Sequence, residues 1–345
     1  MERLGKYRCF AAMFVFLVAD VINISWEAAG KASWLFYFAG AALATPFYNW
    51  CARLCCRREA EGGTISRLLA MAMCLLSLAG VAAILGQFAL FVTTSNDFEM
   101  SPAFVAGLLA VTSLYMALLG GHGFERYIDA AVVWISVFLI LFFAVSGGDW
   151  QVDRLLPIND GTAYSWPFCL VRAFVRPFAQ GFVCIAVLSG RAKEEDIIPG
   201  CRAGLWAAAL ALAFERIENI CSVGYRISSK YNFPTYAVAS VQRFTSYGLH
   251  VEEVLMCALI TARMIKIGIL LRFCRMCFAY ASGCRYEDTK AVLCGMTMAA
   301  YAAGMVFLST TSGAEGWLSW SPWPVGLLFA VVPAAGYFAG KTKNI

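Results

Sequence analysis

The chain has 345 residues, of which 61% are hydrophobic and only 14% charged, with a formal net charge of +5. Soluble domains carry roughly 25% charged residues, so this composition excludes a soluble globular protein, and no stretch is long and polar enough to add a separate soluble domain. The basic residues sit at the ends of apolar runs, as membrane topology requires, and give no reason to expect a nucleic-acid partner.

A bilayer core about 30 Å thick is crossed by roughly 20 apolar residues in a helix. Runs of that length predict ten spans, near 9–27, 33–54, 67–94, 102–119, 126–146, 168–189, 203–225, 249–273, 289–309 and 323–340. Only helices or closed barrels span lipid, and these runs are too long and too continuously apolar for barrel strands. The expected fold class is an all-α integral membrane protein with about ten transmembrane helices in a single domain, 1–345. Arg3, Lys6 and Arg8 precede the first run in the manner of a signal peptide, but the run passes almost directly into the next, which predicts a retained helix. With the N-terminus inside, the inner breaks hold Arg53, Arg57, Arg58, Arg126, Arg191, Lys193, Arg272 and Arg275, among others. The outer breaks hold only Lys31, Arg154, Arg226, Lys230 and Arg243, against several acids. This positive-inside asymmetry places both termini in the cytoplasm.

Ionisable groups at membrane depth cost about 2.5–3.5 kcal/mol each on insertion scales and mark function. In the first span, Asp20 and Asn23 are one turn apart. They share a helix face, or they mark an unwound stretch (Ala19, Asp20, Val21, Ile22, Asn23) whose backbone receives a ligand, or they lie at the wet outer boundary. In the third span, Gln87 follows Gly86 and suits an interhelical hydrogen bond or a ligand contact. The sixth span carries Arg172, Arg176, Pro177, Gln180 and Gly181. Pro177 breaks or kinks a helix, and a guanidinium beside such a break suits a carboxylate, whereas Arg172 can snorkel to the interface. The seventh span contains Glu215, Arg216, Glu218 and Asn219, which form a structural ion pair or line a polar passage. The eighth contains Thr261, Arg263 and Lys266. The last two are like-charged on one face and need water or acidic partners, for which Glu215 and Glu218 are candidates.

The 14 cysteines are scattered along apolar segments and read as small packers. Cys274-x-x-Cys277 has no second pair at matching spacing, and His122 and His250 are the only histidines, so no metal is expected. No nucleophile–base–orienter set or phosphate loop is visible, so no enzymatic activity and no cofactor are expected.

Several stretches resemble the spore germination permeases, the B subunits of Ger-type germinant receptors in the APC superfamily. Asp149-Trp150-Gln151-Val152-Asp153-Arg154-Leu155-Leu156-Pro157-Ile158-Asn159-Asp160-Gly161 resembles the family's loop between helices 5 and 6. Tyr231-Asn232-Phe233-Pro234-Thr235-Tyr236 resembles an element after helix 7, Gly123-Phe124-Glu125-Arg126-Tyr127 the start of helix 5, and Ala28-Ala29-Gly30-Lys31-Ala32-Ser33-Trp34-Leu35 the turn between helices 1 and 2. Their order and spacing match over nearly the whole chain. The resemblance implies a LeuT-like fold of two inverted five-helix repeats, with helices 1 and 6 broken beside a midplane site. It also implies a subunit of the inner spore membrane that binds a small germinant, an amino acid above all, with A-type and C-type (lipoprotein) receptor subunits as partners. The residues expected at such a site are Ala19 to Asn23, Gln87, Arg176, Gln180 and Thr261. A secondary transporter for an amino acid or organic cation, coupled to protons or sodium, would use the same pocket.

Overall fold

In the computed structural model the described residues are 4–20, 27–56, 64–95, 101–146, 150–156, 166–228, 231, 233–241 and 251–308, and they are almost entirely helical. The first span appears as α1 (Lys6–Val18), which stops short of its predicted end. Then come α2 (Ser33–Cys56), α3 (Thr64–Ser95), α4 (Pro102–Leu118) and α5 (Gly121–Ser146). The sixth span is divided into α6 (Trp166–Ala173), a π-helical turn (Phe174–Phe178) and α7 (Gly181–Ser189). The seventh is α8 (Glu194–Val223), followed by the short α9 (Tyr225–Ser228) and α10 (Pro234–Val241). The eighth is α11 (Val251–Ser282), and the ninth is α12 (Lys290–Ala303) with a π-helical end (Gly304–Leu308). The tenth predicted span lies outside the described residues.

Burial sorts these helices by position. Every residue of α1 from Ala11 to Val18 is buried, and α11 buries residues on all its faces, including Leu259, Ala262, Ile265, Ile267, Leu270 and Leu271. A helix buried on all faces lies in the middle of a bundle. The outer helices keep large apolar side chains exposed: Tyr115 on α4, Ile140 on α5, Met298 on α12, and Phe307 beyond it at 69%. Contiguous exposed apolar surface of this kind suits hydrocarbon, not water. Four described helices are long and apolar enough to cross a membrane: 66–94, 121–144, 194–223 and 286–307.

The helices pack in two groups. In the first, α1, α2 and α7 surround α8; in the second, α3, α4 and α12 gather along α11. Helix α5 touches both, through α1 and α8 on one side and α11 on the other, and α1 and α7 also meet α11. The closest approach inside the first group rests on Gly200 and Gly204, spaced four apart on α8. A Cβ at Gly204 would stand 2.7 Å from the Phe10 carbonyl oxygen of α1, and one at Gly200 would stand 2.6 Å from that of Lys6. Small residues at this spacing let membrane helices pack backbone to backbone. Gly204→Ala is therefore expected to push α1 off α8, costing on the order of 1–3 kcal/mol. A lowered thermal-unfolding midpoint of the purified protein checks it.

Candidate functional site

Helix α1 ends where its sequence stops favouring a helix. The run after Val18 brings Asp20, then two β-branched residues and Asn23, all weak helix formers. The last turn tightens, with the Asp20 amide bonding the Leu17 carbonyl at 3.2 Å. Ala19 and Asp20 form the closing turn; Val21, Ile22 and Asn23 lie outside the described residues. A carboxylate at a helix C-terminus adds to the negative end of the helix dipole, so this point needs a cation. Lys266 of α11 supplies it: its ammonium donates to Asp20 Oδ2 at 2.5 Å, with side chains 2% and 18% exposed respectively. The ammonium also lies 5.0 Å from the centre of the Phe16 ring, a cation–π distance. Arg263, one turn earlier on α11 and buried, lies in the field of the same carboxylate. Lys266 thus finds its acid on α1 and not on α8, where the sequence suggested Glu215 or Glu218.

The sixth span breaks for a different reason. Pro177 has no amide proton, and its ring excludes a regular turn against the carbonyl four residues earlier. The chain responds with a wider turn in which the Ala179 amide bonds the Phe174 carbonyl at 2.9 Å. Gly40 of α2 lets this region approach, since a Cβ there would stand 2.9 Å from the Ala173 carbonyl oxygen. The amide of Phe182 bonds Ala179, which leaves the Phe178 carbonyl outside the helix ladder. The buried Tyr48 hydroxyl of α2 donates to it at 2.8 Å. Tyr48 also lies against Gly181 and feels the Asp20 charge. Tyr48 therefore ties α2 to the bend of the sixth span.

The remaining expected residues take varied positions. Arg176 falls within the π-helical turn, and its side chain is outside the described residues. Gln180 is half-buried in the turn that opens α7. Gln87 is buried on α3. The Thr261 hydroxyl donates to the Cys257 carbonyl of its own helix at 2.8 Å, a local bond common for threonine in apolar helices. The α8 group is buried as expected, but its described contacts run toward the loop end of α8. Glu215 accepts hydrogen bonds from Asn219 at 2.5 Å and from Thr235 of α10, and the Arg216 guanidinium donates to Ser33 at 2.9 Å. Glu218 is fully buried one turn on.

Sequence reading missed a second charged cluster, at the end of the bundle that holds the N-terminus. Arg8 bonds Glu125 at 3.0 Å and Asp129 at 3.3 Å; Arg191 also pairs with Glu125, and the Leu4 amide bonds the Arg191 carbonyl. Arg272 donates to the carbonyls of Met116 and Leu119 and lies over the Phe124 ring. The cluster itself lines a small cavity of about 30 Å³, whose apolar wall includes Ala12, Ile128, Cys184 and Ile269. The signal was present, since Glu125 and Arg191 stand at span ends, but Arg191 was read as topology and Glu125 only as part of the stretch resembling the start of helix 5.

No protein-family model matches the chain, and no curated protein matches it. Solved structures do. One is a Na+-coupled sialic acid symporter in a substrate-bound outward-open state, with a TM-score of 0.63 and 14% identity over 96% of this chain and 78% of that one. Another is MhsT in complex with L-phenylalanine, with a TM-score of 0.62 and 14% identity over 95% of this chain and 89% of the other. The chain has a LeuT-like fold. In that architecture the first and sixth helices are the corresponding first helices of two inverted repeats; here α1 ends at Val18 and the sixth span carries a π-helical turn at Pro177.

Tyr48→Phe removes a buried donor and leaves the Phe178 carbonyl without it, which costs about 1–3 kcal/mol. The variant is expected to fold with a lowered unfolding midpoint, measured against wild type in the same detergent.

Proposed function

We propose that this chain is a solute-binding membrane protein that holds a small nutrient, most simply an amino acid, between the breaks of its first and sixth spans. The observation that carries the reading is the end of α1 inside the bundle, packed against the bent sixth span. Carbonyls at the C-terminal end of α1 attract a cationic group, and a guanidinium in the sixth span, Arg176, suits an anionic one. An amino acid carries both. Apolar neighbours would size its side chain, as in most small-molecule pockets. Binding without covalent chemistry needs no catalytic residue.

Within this reading the chain serves as the membrane subunit of a germinant receptor in the inner spore membrane, both termini on the core side, beside A-type and C-type (lipoprotein) subunits. Four joints support it, because each anchors a stretch that resembles that family, and one of them joins two such stretches. Lys31 donates to the Leu156 carbonyl at 2.6 Å, tying the first turn to the loop after α5. Arg154 of that loop donates to the Cys221 and Ser222 carbonyls at the end of α8. Thr235 bonds Glu215, and Glu125 anchors the cluster at the opposite end. A second reading, secondary transport, is favoured by the likeness to a Na+-coupled symporter. In both readings the Lys266 ammonium already stands at the half-helix end where a coupling cation is drawn.

Two expected outcomes follow. In a thermal-shift panel of amino acids, one compound is expected to stabilise the purified chain equally in sodium and potassium buffers, because Lys266 supplies the charge. Stabilisation confined to sodium would contradict this. Spores lacking the gene are expected to lose the response to that compound, while proteoliposomes containing only this chain take none up. Concentrative uptake with normal germination would establish the transporter instead.

A further inference from the structure

Cysteines 74 and 274 come from helices 200 positions apart in sequence, and their sulfurs lie 3.1 Å apart in the fully buried seam between α3 and α11. The Cys274 sulfur also reaches the Cys74 carbonyl at 3.4 Å. A disulfide requires a sulfur separation of about 2.05 Å, so the pair is roughly one ångström from bonding distance, a gap that side-chain rotation can close. The seam is among the most extensively packed in the molecule, which holds the two cysteines opposite each other.

We propose that Cys74 and Cys274 form a reversible disulfide that staples α3 to α11. Both helices belong to the same packing group, so the staple braces the helix that carries Lys266 without crossing to α1. Cys274 lies eight residues beyond Lys266, about 12 Å along the helix. The reaction requires a two-electron oxidant, and one of the azo or quinone class fits: small and neutral, it can enter apolar surroundings that exclude charged reagents. With an azo compound, the first thiol adds across the N=N bond, giving a sulfur–nitrogen bond and one N–H. The second thiol then attacks that sulfur; the S–S bond forms as the S–N bond breaks, and the departing nitrogen takes the second proton. Two thiols are oxidised and the azo compound is reduced to a hydrazine. A dithiol reverses the reaction by thiol–disulfide exchange.

The test uses the full chain in lipid nanodiscs, treated with diamide, alkylated under denaturing conditions, digested and analysed by mass spectrometry. The expected result is a linked pair of peptides containing Cys74 and Cys274, two hydrogens lighter than the sum of the reduced peptides. The unfolding midpoint rises by roughly 5 °C or more, and dithiothreitol reverses both changes. C74A shows neither change; if that variant fails to fold, the wild-type mass spectrum decides alone. Recovery of both thiols in alkylated form from samples in which the half-buried Cys55 and Cys56 have reacted would overturn the proposal. So would linkage of Cys274 to another cysteine.

Discussion

The ion pair between Asp20 and Lys266 ties the two halves of the packing together at the point where α1 ends. Its logic is electrostatic. A carboxylate in a membrane-sized core is tolerated only with a partner, and an ammonium in the middle of a long buried helix is tolerated only with an acid. Each residue makes the other possible. The pair also explains why α1 can stop at Val18 without leaving an uncompensated negative end. Because α1 packs with α8 and α11 packs with α3, any relative movement of the two groups must stretch, break or carry this contact.

The flanking joints have the same character. At the end that holds the N-terminus, Arg8 and Arg191 converge on Glu125 and bind α1, α5 and the end of α7 together. At the opposite end, Lys31, Arg154 and Thr235 tie three surface segments to one another and to α8. Between them Asp20 at the end of α1 pairs with Lys266, and Tyr48 ties α2 to the bend of the sixth span. Among the described contacts, ion pairs and hydrogen bonds join the helices at both ends of the bundle and again at Asp20 and Tyr48. That distribution suits a protein whose helices must hold a solute and respond to it, since ionic contacts can be exchanged more discretely than close-packed apolar seams.

Much of this was legible in the sequence because lipid imposes so strict a length rule. Nine of the ten predicted spans coincide with described helices, and the divided sixth span was visible in Pro177, a residue whose effect is local. The end of α1 was visible in Asp20 for the same reason. Pairing was not legible. Lys266 lies 246 residues from Asp20, and nothing in the eighth span distinguishes an acid on α1 from one on α8; only the crossing of α1 and α11 decides it. The cluster around Glu125 was hidden by a different ambiguity, since charges at span ends serve topology and tertiary contacts alike. Cys74 and Cys274 each looked like an ordinary apolar packer, and their meeting depends wholly on the register of two long helices.

The most direct measurement is a double-mutant cycle on Asp20→Asn and Lys266→Met, read as unfolding stability in lipid bicelles. Removing one partner of a buried pair strands the other, so each single change is expected to cost about 3–5 kcal/mol. The double variant is then expected to be far less destabilised than the sum of the two. Additive losses, agreeing within about 0.5 kcal/mol, would mean that the two residues do not hold each other, and the account of the helix break would fail with them.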